Sequence, residues 1–459
     1  MDTQFGRRFL LPIAGGLMAV TVGLLSGYAP LVAALLIVGV LLLFAIFLRP
    51  EVILFVQLIV IFSASLKFND ITVGRLTAPF VLLALVVQLI RSPPTLSRGA
   101  KPLAFSLGLF LLATASLIWT VSVDDSMGAL LSLTISFVYM GAFVALLREP
   151  AQVSRLLGFT AVCAVVTGLW WISSYLLGVD RGENPAGDPN FFSALQVVTL
   201  PLVLVLAASV KARHVSLALY AASLLIVASV IASLSRDGLL TLGTALLLIA
   251  VTPAQRFFRR GVHKRMFLGA VGLLAAGSLV IVWPALAFRI ENQAKYGSGG
   301  RLDLQKAAIR AYSDNPALGV GFGGFKAISI DLLRTTPGVS RVPAFDYQFT
   351  GLYAHNAYLG LLAELGPVGL FLLLGIMLSS FNLLMRTARL ADRSGEEFLA
   401  SVSVALAVGL VAYAVSSLFL SSETSRVLWL IVGISVALPQ MVPSIQAMPQ
   451  PSKSPDTYE

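Results

Sequence analysis

Residues 190–252 read NFFSALQVVTLPLVLVLAASV, KAR, HVSLALYAASLLIVASVIASLS and RDGLLTLGTALLLIAVT in succession. The apolar blocks in this stretch are long, and the polar runs between them are only a few residues each. An α-helix needs about 20 apolar residues to cross the hydrocarbon core of a bilayer. The stretch therefore predicts consecutive membrane-spanning helices joined by tight turns.

The same pattern extends over the whole chain. Its 459 residues are 57% hydrophobic and 12% charged, and the mean hydropathy is +0.89. Soluble globular proteins carry about 25% charged residues, so this composition excludes an ordinary soluble enzyme, a disordered protein and a nucleic-acid-binding domain. The single cysteine, Cys163, lies inside an apolar block, where it is interpreted as a packing residue that can form no disulfide within the chain.

The apolar blocks predict an all-α, polytopic transmembrane helical bundle of about 12–14 spans. The predicted spans are approximately 9–27, 30–48, 51–67, 76–91, 103–120, 127–147, 154–177, 190–210, 214–235, 237–252, 265–288, 355–381, 398–420 and 425–441. The first block follows Arg7 and Arg8, as in a signal peptide. It lacks a small-residue cleavage site before the next block, so it is interpreted as an anchor helix.

Lys and Arg are distributed unevenly between the two sides of these spans. With the N-terminus in the cytoplasm, 19 of the 32 basic residues fall in predicted cytoplasmic segments and five in the short loops of the opposite side. Short cytoplasmic loops of membrane proteins are enriched in Lys and Arg. The sequence therefore predicts that both termini are cytoplasmic.

Three regions follow from this assignment. Residues 1–180 are predicted to be N-terminal transmembrane helices, residues 181–440 to hold the functional candidates and the long outer loop 289–354, and residues 441–459 to be a disordered tail. Within the loop, residues 301–312 (RLDLQKAAIRAY) have the pattern of an amphipathic helix that ends at the following SDNP sequence. This helix is expected either on the outer membrane surface or against the bundle.

Three polar residues recur on the predicted outer side. Arg236 stands in a tight polar turn, Arg301 follows a flexible GSGG sequence, and His355 begins the twelfth predicted span. Taken singly, they could be a snorkelling arginine, a solvated charge and an interfacial histidine. Taken together, guanidinium groups suit phosphate oxygens and a neutral imidazole suits proton removal from a hydroxyl. The set favours transfer from a lipid pyrophosphate to an acceptor alcohol.

Three further residues have both a structural and a functional interpretation. Asp188 or Asn190 is expected to cap the following helix, with substrate contact as the alternative. Glu364 lies inside a predicted span, where a carboxyl group is costly and is functional by default. It lies about 13.5 Å along the helix from His355, too deep for direct contact, so it is interpreted as an internal hydrogen-bond or ion-pair anchor.

Two apparent motifs point to no cofactor or metal. The GVGFGG sequence at 319–324 matches a GxGxxG pattern, but no βαβ unit surrounds it, so it is interpreted as a turn. His214 and His263 have no carboxylate or cysteine at ligand spacing. No metal site and no cofactor are predicted.

The polar residues at the twelfth span carry a family resemblance. His355 and Asn356, then nine residues, Gly366, two residues and Gly369 resemble the H-[NSQ]-x9-G-x-x-[GTV] pattern of the O-antigen ligase family. This family includes O-antigen polymerases and oligosaccharide ligases that modify proteins. Gly366 and Gly369 are expected to be structural within this motif.

Other stretches are similar to the same family. Arg236 with DGLL resembles its R-x3-L motif, the segment from Arg301 to the GVG sequence resembles its central outer loop, and the turn at Asp188 is also similar. The resemblance runs from about 180 to 375. The earlier helices are similar to the family only in hydropathy and topology.

The resemblance implies a metal-independent, inverting glycosyltransferase of the C type. Such an enzyme takes a glycan from undecaprenyl pyrophosphate at the periplasmic face of the bacterial inner membrane. Arg236 and Arg301 would hold the pyrophosphate, His355 would be the general base or orient the acceptor hydroxyl, and Asn356 would fix the imidazole or start the helix. Arg289 and Arg310 flank Arg301 in the loop and are alternative donor contacts, which leaves the second arginine open.

These arginines and the histidine do not distinguish between possible acceptors. Ligation to lipid A-core is favoured, ahead of polymerisation onto another lipid-linked repeat and of transfer to protein Ser or Tyr. The other expected partner is membrane lipid, with no nucleic acid. A secondary transporter or lipid flippase would instead predict inverted hydropathy repeats with polar residues at the midplane, and the sequence has no such pairing.

Overall fold

The computed structural model describes residues 30–64, 66–68, 71–92, 100–178, 188–296, 301–339, 351–421 and 424–443. In these ranges the chain is almost entirely helical. The exception is a pair of two-residue strands, in which Lys67–Phe68 pairs antiparallel with Ile71–Thr72. The expected all-α class is therefore confirmed.

The helices are numbered here in chain order. They are α1 (Pro30–Leu48), α2 (Val52–Phe62), α3 (Val73–Arg91), α4 (Ala100–Ala115), α5 (Val123–Leu146), α6 (Pro150–Leu176), α7 (Pro189–Ser209), α8 (Arg213–Ala232), α9 (Arg236–Val251), α10 (Gly261–Tyr296), α11 (Arg301–Asp314), α12 (Phe325–Thr335), α13 (Ala357–Arg393), α14 (Glu397–Ser416) and α15 (Arg426–Ala437).

The predicted spans from 30–48 onward each coincide with one of these helices. The first predicted span, 9–27, and the predicted tail beyond residue 443 lie outside the described residues. Among the described helices, eight are long and apolar enough to cross a membrane by length and composition. This number is below the predicted 12–14 because several helices that coincide with predicted spans, such as α2 and α9, are shorter than 18 residues. The chain is a multi-pass membrane protein.

Helix α7 is the central element of the bundle. In its apolar window 89% of the residues are buried, and it packs against α6, α8, α9 and α14. Its sequence is apolar on every face, which is the pattern of a helix surrounded by protein. A buried polar residue, Gln196, donates to the carbonyl of Ala164 at 3.1 Å and to Thr167 Oγ1 at 3.0 Å, which ties α7 to α6.

The loop between α10 and α13 is ordered where the structure describes it. The predicted amphipathic helix is α11, and its buried face includes Leu304, Ala308 and Ala311. Helix α11 packs against α12 and α13, so of the two expected positions it takes the one against the bundle. The predicted start of the loop at residue 289 is still helical, because α10 continues to Tyr296.

Helix α13 is two helices joined at a kink. Gly366 has φ 64° and ψ −165°, and Pro367 follows it. A Cβ atom at residue 366 would collide with the carbonyl oxygen of Ala317 in the turn after α11. Glycine is therefore required at this position both for the backbone conformation and for the close approach of the turn.

Replacement of Gly366 by alanine is expected to destabilise the protein by about 1–3 kcal/mol, because the side chain meets both a positive φ and the Ala317 carbonyl. Thermal unfolding of the purified protein in detergent measures the change. The matched control is Gly243→Ala in α9, where a Cβ atom meets nothing within 4 Å. Equal Tm values for the two variants would contradict a structural requirement at Gly366.

Candidate functional site

The starts of α7, α9 and α13 meet at one end of the bundle, named here the site end. Ser235, the N-cap of α9, accepts the backbone N–H of Gly238 at 2.9 Å. Its Oγ donates to Oδ1 of Asn190, in the first turn of α7, at 2.6 Å. Both Ser235 and Asn190 are buried. This link fixes the start of α9 on the start of α7 and leaves Arg236, the first residue of α9, exposed.

Asp188 is the N-cap of α7. Its Oδ1 accepts the backbone N–H groups of Asn190 at 2.8 Å and Phe191 at 3.2 Å. The predicted capping role is therefore confirmed for Asp188, while Asn190 joins the two helix starts instead. The Asp188 side chain is exposed, so its carboxylate is also a local negative charge at the site end.

Two strained backbone positions lie at the candidate motifs. Leu234, with φ 52°, and His355, with φ 48°, are the only non-glycine residues in the described ranges with positive φ. Such conformations cost about 1–3 kcal/mol and persist only where surrounding contacts impose them. At His355 one such contact is the backbone N–H, which donates to Ser421 Oγ at 3.1 Å.

Asn356 is the N-cap of α13. Its Oδ1 accepts the backbone N–H groups of Tyr358 at 3.1 Å and Leu359 at 3.0 Å, and its side chain is buried. The next backbone N–H, at Ala357, donates to the carbonyl of Ser417 at 2.9 Å. Asn356 was expected either to fix the imidazole or to start the helix, and the structure shows that it starts the helix. These contacts hold the backbone that carries His355.

Burial and two charged groups, Arg301 and Asp188, set the electrostatic surroundings of His355. His355 precedes the membrane-spanning helix α13 and is half-buried. Burial lowers the pKa of its imidazole, the positive charge of Arg301 lowers it further, and the negative charge of Asp188 opposes both. The ring is therefore neutral at neutral pH, which is the form that accepts a proton.

Asp237 is a site residue that the sequence interpretation did not single out. It is buried, its Oδ2 accepts from Ser416 at 2.9 Å and its Oδ1 accepts from Thr241 at 3.2 Å. Arg301 and Asp188 also act on it electrostatically. The available signal was its position inside the predicted span 237–252, where a carboxyl group is costly.

The structure therefore brings Arg301, Asp188, Asp237 and His355 into one electrostatic cluster, and Arg236 is the neighbour of Asp237 at the same helix start. Arg301 is the first residue of α11 and is half-buried.

The two alternative arginines lie in helices α10 and α11. Arg310 is exposed and donates to Asp314 at 2.9 Å. Arg289 lies in α10, at a position where the structure describes only the backbone.

The residues predicted to be structural, Glu364, Gly366 and Gly369, lie where the turn after α11 meets the kink of α13. The backbone N–H groups of Val320 and Gly321 donate to the carbonyls of Ala363 at 3.0 Å and Glu364 at 2.9 Å. The Glu364 side chain is buried and borders a polar cavity beside His355. Gly369, one turn beyond the kink, is buried against Leu365.

The 319–324 sequence forms a turn, as predicted, with positive φ at Gly319, Gly321 and Gly323. In the part of the chain that the structure describes, no three side chains of His, Cys, Asp or Glu are grouped as a metal site requires. The charged groups of the site end are instead arranged as separate cations, carboxylates and one imidazole.

Comparison with known proteins agrees with the motifs. Residues 221–374 match the family model described as O-antigen ligase. No curated protein matches the chain. The matched segment begins within α8, ends within α13, and includes Arg236, Arg301 and His355. The family resemblance is thus confirmed for residues 221–374, about a third of the chain, which are similar to the O-antigen ligase family.

Proposed function

We propose that the protein transfers a glycan from undecaprenyl pyrophosphate to an acceptor hydroxyl at the periplasmic face of the inner membrane, and that the acceptor is lipid A-core. The match of residues 221–374 to the O-antigen ligase family model supports a membrane glycosyltransferase of the ligase or polymerase type. The observation that carries the finer proposal is the position of Arg301, whose charge acts on both His355 and Asp237 beside Arg236. A cationic group and a neutral base therefore serve one reaction centre.

The two arginines are proposed to bind the pyrophosphate. Arg236 is exposed at the first residue of α9, where the helix dipole also favours an anion. Arg301 approaches from the start of α11. A guanidinium donates two parallel hydrogen bonds to phosphate oxygens and stays charged at any physiological pH. Arg289 and Arg310 are candidates for contacts with the donor farther from the reacting bond.

His355 is proposed to accept the proton of the acceptor hydroxyl. The freed oxygen attacks the anomeric carbon of the donor, the bond from that carbon to the pyrophosphate oxygen breaks, and the configuration inverts. The electron pair leaves with the pyrophosphate, and Arg236 and Arg301 stabilise the charge that develops on it. The negative charge of Asp188 favours the imidazolium formed on His355. Asn356 and Asn190 contribute by fixing the helix starts around this centre.

The orientation is proposed from the distribution of basic residues. The end of the bundle opposite the site carries Arg91, Arg148, Arg256 and Lys264 near helix ends. The positive-inside rule places that end in the cytoplasm, and the site end then faces the periplasm, where lipid-linked glycans are presented.

Replacement of His355 by alanine is expected to lower kcat by about 10²–10⁴-fold, because the proton acceptor is lost. The measurement is transfer from purified undecaprenyl pyrophosphate-linked glycan to lipid A-core, to a second lipid-linked repeat and to a serine-containing peptide, compared side by side. The matched control is His214→Ala, an exposed histidine at the start of α8.

Transfer of the glycan to lipid A-core alone supports the proposal that the protein is a ligase. Product on the lipid-linked repeat or the peptide instead reassigns the acceptor. Near-normal turnover of the His355 variant removes this histidine from the mechanism.

Arg236→Lys and Arg301→Lys are each expected to lose tenfold or more of kcat/KM, since an ammonium keeps the charge but cannot form the planar fork. A tenfold loss corresponds to about 1.4 kcal/mol of transition-state stabilisation. Arg334→Lys, at an exposed arginine of α12 paired with Asp331, is the control and should retain full activity. Full activity in both site variants would show that these arginines only anchor the helices.

We expect kcat/KM to fall at acid pH, with this acid limb below about pH 6.5, the unperturbed pKa of histidine. The reason is that the lowered pKa of His355 keeps its imidazole in the active neutral form to lower pH. Asp188→Asn retains a capping side chain but removes the negative charge that raises this pKa. The limb is therefore expected to move to still lower pH in the variant. A limb that stays in place or moves upward would contradict the assignment of His355 as the titrating base.

A further inference from the structure

A polar cavity of about 360 Å³ lies beside His355 and is not used by the pyrophosphate chemistry. Its lining includes the charged residues Arg75, Asp124, Asp125, Lys326 and Glu364, together with Tyr353. These residues come from α3, α5, α12, α13 and the segment before α13, so the helices upstream of the matched family segment form one wall. Its volume lies within the range of small-molecule pockets, about 300–1,000 Å³.

The cavity adjoins the candidate base through the backbone. Ser421, which accepts the N–H of His355 at 3.1 Å, also lines the cavity. Tyr353 lies two residues before His355, and Glu364 lies on the helix that His355 precedes. A ligand group in the cavity is therefore close to the segment that carries His355.

The charges of the lining do not suit a second phosphate. Three carboxyl groups face two cationic side chains, and one of these cations, Lys326, is already bonded to Asp125 at 3.0 Å. This hydrogen bond is the main reason that the pKa of Lys326 is raised. A diphosphate requires an excess of positive charge, which this cavity lacks.

The same lining suits a ring that carries many hydroxyl groups. Carboxylate oxygens accept hydrogen bonds from hydroxyls, and ammonium and guanidinium groups donate to them. Tyr353 is 52% exposed, and Lys326 Nζ lies over one face of its ring, 6.0 Å from the centroid. The exposed part of an aromatic ring can pack against the apolar face of a sugar. Asp124 is exposed and Glu364 is buried, so polar groups line the cavity from its mouth to its floor.

We propose that this cavity binds one sugar unit of the substrates and thereby sets which glycan is positioned at His355. This proposal rests on the proposed glycosyl transfer. The sugar belongs either to the lipid-linked donor, near its anomeric carbon, or to the acceptor, near its reacting hydroxyl. Both sources present the same polyhydroxylated ring to the cavity.

The test compares Asp124→Asn and Glu364→Gln with Asp331→Asn, an exposed carboxylate of α12 outside the cavity. Transfer is measured while donor and acceptor concentrations are varied separately. Each cavity variant is expected to raise KM for one substrate by tenfold or more while kcat changes less than threefold, and the control should match the wild type. A raised donor KM assigns the cavity to the donor sugar, and a raised acceptor KM assigns it to the acceptor. Unchanged KM values for both substrates, in variants that elute as folded protein on size exclusion, overturn the sugar site.

A second measurement separates this proposal from the catalytic one. Saturation-transfer NMR with methyl glycosides of glucose, galactose, rhamnose and N-acetylglucosamine detects binding without turnover. A saturation-transfer signal from at least one glycoside is expected in the wild type and in His355→Ala. This signal is expected to disappear in the Asp124→Asn, Glu364→Gln double variant. If the wild type shows no glycosyl transfer but binds a glycoside in this cavity-dependent way, the proposed function fails and the sugar site stands. If the saturation-transfer signal of the double variant equals that of the wild type, the proposal that this cavity binds a sugar is wrong.

Discussion

The hydrogen bond from Ser235 to Asn190 joins the starts of two helices, and the geometry of the candidate site depends on it. At 2.6 Å and fully buried, it holds the first turn of α9 against the central helix α7. Buried hydrogen bonds are strong in surroundings of low dielectric, and losing one partner there is costly. Arg236 and Asp237 follow Ser235 directly, and Asp188 stands two residues before Asn190, so this bond links the helix starts that carry three charged residues.

Helix capping explains why polar residues gather at the site end. Asp188, Ser235 and Asn356 each bond backbone N–H groups in the first turn of a helix. A cap places its own residue and its neighbours accurately, because the first turn of the helix fixes the backbone. The strained conformation of His355 lies immediately before such a cap. The structural and functional interpretations of these residues are therefore complementary, since capping is what positions the chemical groups.

The helical layout and part of the site could be predicted from the sequence. Hydropathy located the helices because a span needs a continuous apolar block, and the 301–312 pattern located α11 because its apolar spacing is local. The partners of Asp237 and His355 could not be predicted in this way. Ser416 and Ser421 lie beyond the matched region, which ends at residue 374, and no local pattern pairs them with residues 179 and 66 positions away. The cavity could not be predicted for the same reason, since residues of α3, α5 and α12, which carry no motif, complete the wall that Glu364 begins.

The long separation between Asp237 and Ser416 has a consequence for biogenesis. Helix α9 is synthesised and can enter the bilayer well before α14 exists. During that interval the nascent chain carries the Asp237 carboxyl without the Ser416 hydroxyl that bonds it in the finished protein, and α7 lacks the neighbour that covers one of its sides. The charged centre can be completed only after translation of the C-terminal helices, so a chain interrupted before α14 contains the arginines and the histidine but not the enclosure that holds them.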